Sequence, residues 1–157
     1  MGREIRRVPA NWEHPRYTAD TANDPRQIGQ HIPLLDNYDN ALQTFAQCIA
    51  DKGLSEAIEY RNGGPLKDNY TQYNNAPLDW WQAYETVTEG TPVSPAFATP
   101  EELIEYLVAH GDYWDQRRGA KGYSRKAAEV FVKSGWAPSG MIKDGTFYTG
   151  IESLTKA

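Results

Sequence analysis

Ile, Leu and Val supply only 23 of the chain's 157 side chains, and four Phe raise that apolar total to 27. This is about 17% of the chain, inside the range in which sequences of high net charge stay disordered. The formal net charge is only −5, too small for self-repulsion to hold the chain open. Five Trp and ten Tyr supply the missing bulk. Such side chains bury an apolar body and hydrogen-bond a polar tip. The composition therefore predicts a folded domain with a small aliphatic core and an aromatic-rich surface or groove. A chain of this length fits one domain and can bury a core without metal or disulfide staples.

Several classes are excluded. No stretch approaches the ~20 consecutive apolar residues of a membrane-spanning helix. The N-terminus, Met1 to Pro9, is charged and lacks the apolar run of a secretory signal. Gly2 follows Met1, but position 6 is Arg6, where myristoylation wants Ser or Thr. Cys48 is the only cysteine, which leaves no internal disulfide and no cysteine-based zinc cage. It reads as a small buried residue on a helix.

Punctuation divides the rest. Pro9, Pro15, Pro25 and Pro33 keep residues 1–35 extended or looped, with a short strand expected near Ile5 to Val8. Tyr38, Leu42, Phe45 and Ile49 recur at helical spacing behind an Asp36 or Asn37 cap, and Gly53 stops them. Ser55 starts a short helix to about Tyr60, and Gly63-Gly64-Pro65 breaks it. A helix is expected from Pro77 or Asp79 to Gly90, with Trp80, Tyr84 and Val87 on one face. Thr99, Pro100 and Glu102 form a capping-box start for the next helix, which Gly111 ends. Residues 112–123 read as a charged loop. Ser124 caps a last helix ending at Gly135, and Asp144-Gly145 marks a β-hairpin. The fold class expected is α+β: a mainly helical single domain over 1–157. It has an irregular arm over 1–35, a helical core over 36–135, and a small C-terminal β-hairpin and tail over 136–157.

The net charge conceals a segregation. Residues 68–116 hold nine acids and no Lys or Arg, while 117–133 hold six bases and one acid; Arg3, Arg6 and Arg7 form a third cluster. The acidic stretch also carries nine of the 19 aromatics. Acidic and basic segments can simply pair within the fold. Alternatively, aromatics anchor an interface while acids steer a basic partner. On that reading Trp80, Trp81, Tyr84, Glu85 and Glu89 are the protein-binding residues, with at least one of the two tryptophans partly exposed.

Sequence motifs for chemistry are absent: no HExxH, GxSxG or GxxxxGK[ST]. His14, His31 and His110 have no local metal spacing, and Glu101 and Glu105 read as an exposed helix face. No catalytic residue, metal or cofactor is expected. The connection from Gly111 to Ser124 is too long for a helix-turn-helix, which argues against direct DNA binding.

Three blocks carry a resemblance. They are Gly2 to Pro15 (GREIRRVPANWEHP); Trp81 through Tyr84-Glu85 and Glu89 to Pro95, on to Leu103; and Tyr123-Ser124-Arg125 through Gly135 to Ser139. Together they cover roughly half the chain and resemble a family of small uncharacterised proteins encoded by tailed bacteriophages and prophages. The resemblance implies a phage origin and action in the host bacterial cytoplasm, and it implies no activity. Small phage proteins of this kind work by binding host proteins, antagonists of host defence among them. The leading expectation is a non-catalytic accessory protein that binds a host protein with a basic surface. A second is a nucleotide- or other small-molecule-binding (sequestering) protein. Its phosphate-bearing ligand would be held by Arg6, Arg7 and Trp12 with Thr91 and Ser94 of the Gly90–Pro95 loop. A third is a virion or assembly component.

Overall fold

The computed structural model describes residues 2–60, 63–86, 90–138 and 140–155, with only the backbone of Met141. The fold is α+β. Where the sequence predicts one domain, the contacts divide the chain into two compact units, Pro33–Asn74 and Met1–Ile32 with Asn75–Ala157.

The larger unit is built on a four-stranded antiparallel sheet. Strand β1 spans Arg3–Val8, β2 Trp80–Glu85, β3 Thr91–Pro92 and β4 Trp136–Ala137, in the order β3-β2-β1-β4. The arm over 1–35 thus supplies a central strand. Its full register runs from Arg3 opposite Glu85 to Val8 opposite Trp80.

The helix expected after Asp79 is instead β2. Trp80, Trp81 and Tyr84 suit a pleated surface as well as a helix face. Gln82, Ala83, Tyr84 and Glu85 are all buried, as in a strand covered on both sides, where helical periodicity carries no information. Val87, placed on that helix face by the sequence, lies outside the described residues.

Helices cover one side of the sheet. Helix α3 (Pro100–His110) starts where Thr99 Oγ1 accepts the Glu102 amide, and α5 (Arg125–Ser134) starts where Ser124 Oγ accepts the Ala127 amide. Leu103, Leu107, Ala128 and Phe131 pack with Ala83, and with the partly buried Ile5 and Trp81, in one hydrophobic cluster. The expected 112–123 loop contains a short helix, α4 (Tyr113–Arg118). The Asp112 carboxylate accepts the Trp114 and Asp115 amides, Asp115 returns a bond to the Asp112 amide, and Gly119 stops the helix at φ 65°. Beyond β4, strands β5 (Gly140–Lys143) and β6 (Thr146–Thr149) form the expected hairpin around Asp144 and Gly145, both at positive φ. A last turn, α6 (Gly150–Ser153), follows.

The smaller unit holds α1 (Tyr38–Lys52) and α2 (Leu54–Tyr60). Asn37 caps α1, the Gly53 amide closes its end, and Cys48 is buried on it. Leu35 joins the unit's two ends by accepting the Thr71 amide and donating its own to Asn69. Among the described residues no helix is long and apolar enough to cross a membrane.

A buried ion pair ties β1 to the helical layer. Arg3 Nε donates to Asp112 Oδ2 at 3.0 Å, and Tyr123 Oη donates to the same oxygen at 2.8 Å. Burial works to raise the Asp112 pKa. The Arg3 guanidinium, the Asp115 amide and the Tyr123 hydroxyl outweigh it and hold the carboxyl below its usual range. Burial, reinforced by Asp112, pushes the Tyr123 phenol up.

Two substitutions test this frame. Asp112→Ala removes the buried carboxylate that Arg3 and Tyr123 both bond, and urea unfolding should show a loss of about 3–5 kcal/mol. At Gly122 a Cβ would overlap the Val108 carbonyl oxygen at the end of α3. Gly122→Ala should therefore cost about 1–3 kcal/mol in the same assay, while Gly119→Ser, with open space around it, meets only backbone strain.

Candidate functional site

Helix α3 and the chain running antiparallel to β2 flank a shallow, open groove. Trp81 and Phe97 exchange backbone hydrogen bonds at 2.8 Å, which extends the sheet edge past β3 and brings Phe97 beside α3. The groove has a volume of about 690 Å³ and is lined by Trp80, Ala96, Phe97, Ala98, Glu101, Glu102, Glu105, Tyr106, Ala109 and His110.

Its lining has two chemistries. Phe97, Tyr106 and His110 form an aromatic run, with centroids 5.3 Å and 5.1 Å apart. Gln116 Nε2 donates to Tyr106 Oη and fixes that ring's polar end. Glu101, Glu102 and Glu105 are exposed on α3. Among the described residues Glu101 and Glu102 have no ion-pair partner. Glu105 accepts two bonds from Arg125, at 2.7 and 3.1 Å, and this pairing holds the Glu105 carboxyl below its usual range.

The residues expected to bind protein are scattered. Trp80 lines the groove and is half-buried. Trp81 is half-buried too, but its ring packs against the core and carries the Arg7 guanidinium 3.8 Å above it. Tyr84 is 0% exposed and Glu85 4% exposed, which corrects their assignment as surface anchors. Glu85 instead accepts from Trp114 Nε1 at 2.6 Å and from Thr91 Oγ1 at 2.9 Å. Glu89 lies outside the described residues.

The expected phosphate pocket does not assemble either. Neighbouring residues on a strand point to opposite faces, so Arg6 and Arg7 cannot converge. Arg6 is 1% exposed, bonded to Glu4 Oε1 at 2.7 Å and stacked 4.0 Å from the Tyr84 ring centroid. Trp12 Nε1 donates to Tyr84 Oη, and Thr91 is engaged by Glu85. Ser94, 0% exposed, accepts the Ala83 amide and donates to the Pro95 carbonyl. Among the described residues no group of three or more His, Cys, Asp or Glu could hold a metal ion.

The groove is not legible in the sequence, because the spacing of its tryptophan and tyrosine neighbours fits a helix face as well as a strand. Glu101 and Glu105 were visible as one exposed face. The missing signal was that Phe97, two residues beyond Pro95, pairs with Trp81.

The sheet's other face carries a hydrogen-bonded relay. A carbonyl only accepts, so His14 Nε2, 2.6 Å from the Ile32 oxygen, bears the proton. His14 Nδ1 then accepts from Tyr84 Oη at 2.9 Å. Burial lowers the His14 pKa to about 4; the Ile32 bond opposes this, and Arg6 and Arg16 reinforce it. His31, its ring centroid 5.7 Å from that of His14, is also lowered to about 4 by burial, Arg16 and His14.

Both imidazoles fold neutral, so the unfolded chain binds more protons between pH 6.5 and 4. Stability is complete above pH 6.5 and falls as pH drops toward 4. Urea midpoints at pH 7, 6 and 5 should decline in that order. His14→Gln should lower the pH 7 midpoint yet reduce the decline by about half, His31 retaining its own share.

No family model, curated protein or solved structure matches the chain.

Proposed function

We propose that this chain is a phage-encoded, non-catalytic accessory protein that binds a host protein through the groove beside α3. It acts in the host bacterial cytoplasm, and the reading extends to antagonism of a defence component. The observation that carries the binding reading is the groove itself: an aromatic lining edged by three glutamates, of which Glu101 and Glu102 have no ion-pair partner among the described residues.

Aromatic side chains supply buried contact area at an interface core, while rim charges set encounter rate and register. A basic partner surface fits that division. The separation of Arg6 from Arg7 across the sheet, and the internal engagement of Thr91 and Ser94, leave the nucleotide-binding reading without a pocket.

The test is affinity capture of the tagged protein from its bacterial host, run with wild type, Trp80→Ala and the double variant Glu101→Gln/Glu102→Gln. One host protein should be retained by wild type at low salt, released as ionic strength rises, and lost or reduced at least tenfold with both variants. A partner retained equally by all three proteins overturns the groove reading, as does capture of none.

A further inference from the structure

Glu105 differs from the other two groove glutamates because it is already occupied. Its carboxylate is gripped in a fork by Arg125, yet both side chains remain more than half exposed. An exposed pair of this kind contributes little to stability. Arg125 is the first residue of α5, where the helix dipole disfavours a cation, while Glu129 one turn further along the same helix favours it. The guanidinium therefore marks a spot on the groove rim where a fork-shaped cation fits a carboxylate.

The groove's spacing defines what an incoming segment looks like. Glu101 and Glu105 are four residues apart on one helix, about 6 Å along its axis. Alternate side chains of an extended chain are separated by ~6.6 Å. Two basic residues at positions i and i+2 of an extended segment can therefore meet both carboxylates. The residue between them points the opposite way, toward the wall that contains Trp80 and Phe97.

Resting on the reading that the groove binds a basic partner, we infer that its occupant is an extended Arg-apolar-Arg segment and that Arg125 holds the place of one of its arginines. On docking, the partner's guanidinium replaces Arg125 on Glu105 fork for fork. The carboxylate keeps its hydrogen bonds throughout the exchange. Arginine is preferred over lysine because only a planar guanidinium reproduces both bonds. Arg125 is thus an internal competitor that weakens binding of unmatched cations.

The probe is the peptide acetyl-Gly-Arg-Leu-Arg-Gly-amide, titrated at low salt into isotopically labelled protein while the tryptophan indole and α3 amide resonances are followed. Its Lys-Leu-Lys and Glu-Leu-Glu counterparts are run alongside. The expected result is saturable shifts in Trp80 and α3 with the arginine peptide, weaker ones with lysine and none with glutamate. Arg125→Ala should tighten the arginine peptide about two- to fivefold, the worth of an exposed ion pair. Arg125→Lys should fall between Arg125→Ala and wild type, and Glu105→Gln should abolish the difference that Arg125→Ala makes. If the peptide binds the groove but Arg125→Ala leaves its affinity unchanged or weaker, the placeholder inference fails while the groove reading stands. Equal affinity for the arginine and lysine peptides removes the fork. No shift with either basic peptide, in wild type and in Arg125→Ala, overturns both.

Discussion

The ladder between β1 and β2 is the constraint on which the larger unit depends. It joins residues 3–8 to residues 80–85 in unbroken register. Strand alternation then sorts the side chains. Ile5, Trp81 and Ala83 join the core with α3 and α5, while Arg6, Gln82 and Tyr84 lie on the opposite face. A slip of one residue would exchange the two sets, placing Arg6 in the aliphatic cluster and Ile5 among polar groups. The groove inherits this register, since Phe97 reaches α3 only because it pairs with Trp81 on the neighbouring edge.

A small aliphatic core leaves much of the interior to polar groups, and two hydrogen-bonded sets organise several of them. Asp112 accepts from Arg3, Tyr123 and two backbone amides. Tyr84 links Trp12 to His14, and His14 closes on the Ile32 carbonyl. Each set joins segments distant in sequence. A buried polar group without its partner is expensive, so such sets penalise alternative packings more sharply than interchangeable aliphatic contacts do. The Tyr and Trp excess is therefore an interior feature as well as a surface one: Tyr84 and Tyr123 are both buried.

What the sequence disclosed follows the range of the physics involved. Helices α1, α3 and α5 were legible because their limits are local: Asn37, Thr99 and Ser124 cap them, and glycines stop them. The hairpin was legible from Asp144-Gly145 for the same reason. Strand β2 was not, because its partner lies some eighty residues away and its aromatic spacing imitates a helix face. Helix α4 was hidden by its charge, although Asp112, Asp115 and Gly119 carried its cap and stop. Of the groove, the carboxylate face of Glu101 and Glu105 could be read directly. Its aromatic wall required the β2 pairing.

The acidic stretch from Asp68 to Asp115 shows why charge density along a sequence is not surface potential. Glu85 and Asp112 are turned inward, and Asp115 bonds Arg118 and the Asp112 amide. Glu101 and Glu102 stay exposed, and they sit in the first turn of α3, at the positive end of its dipole. There each carboxylate stabilises its own helix by about 0.3–1 kcal/mol at low salt. The helix dipole thus offsets part of the repulsion between these neighbouring acids. Exposed carboxylates at this end therefore contribute to the fold without an ion-pair partner among the described residues. Arg125 meets the opposite situation at the start of α5, where the dipole disfavours it, Glu105 bonds it and Glu129 one turn on favours it. The groove rim therefore combines two acids favoured by the dipole of their own helix with one basic residue that the α5 dipole disfavours and two carboxylates, Glu105 and Glu129, favour.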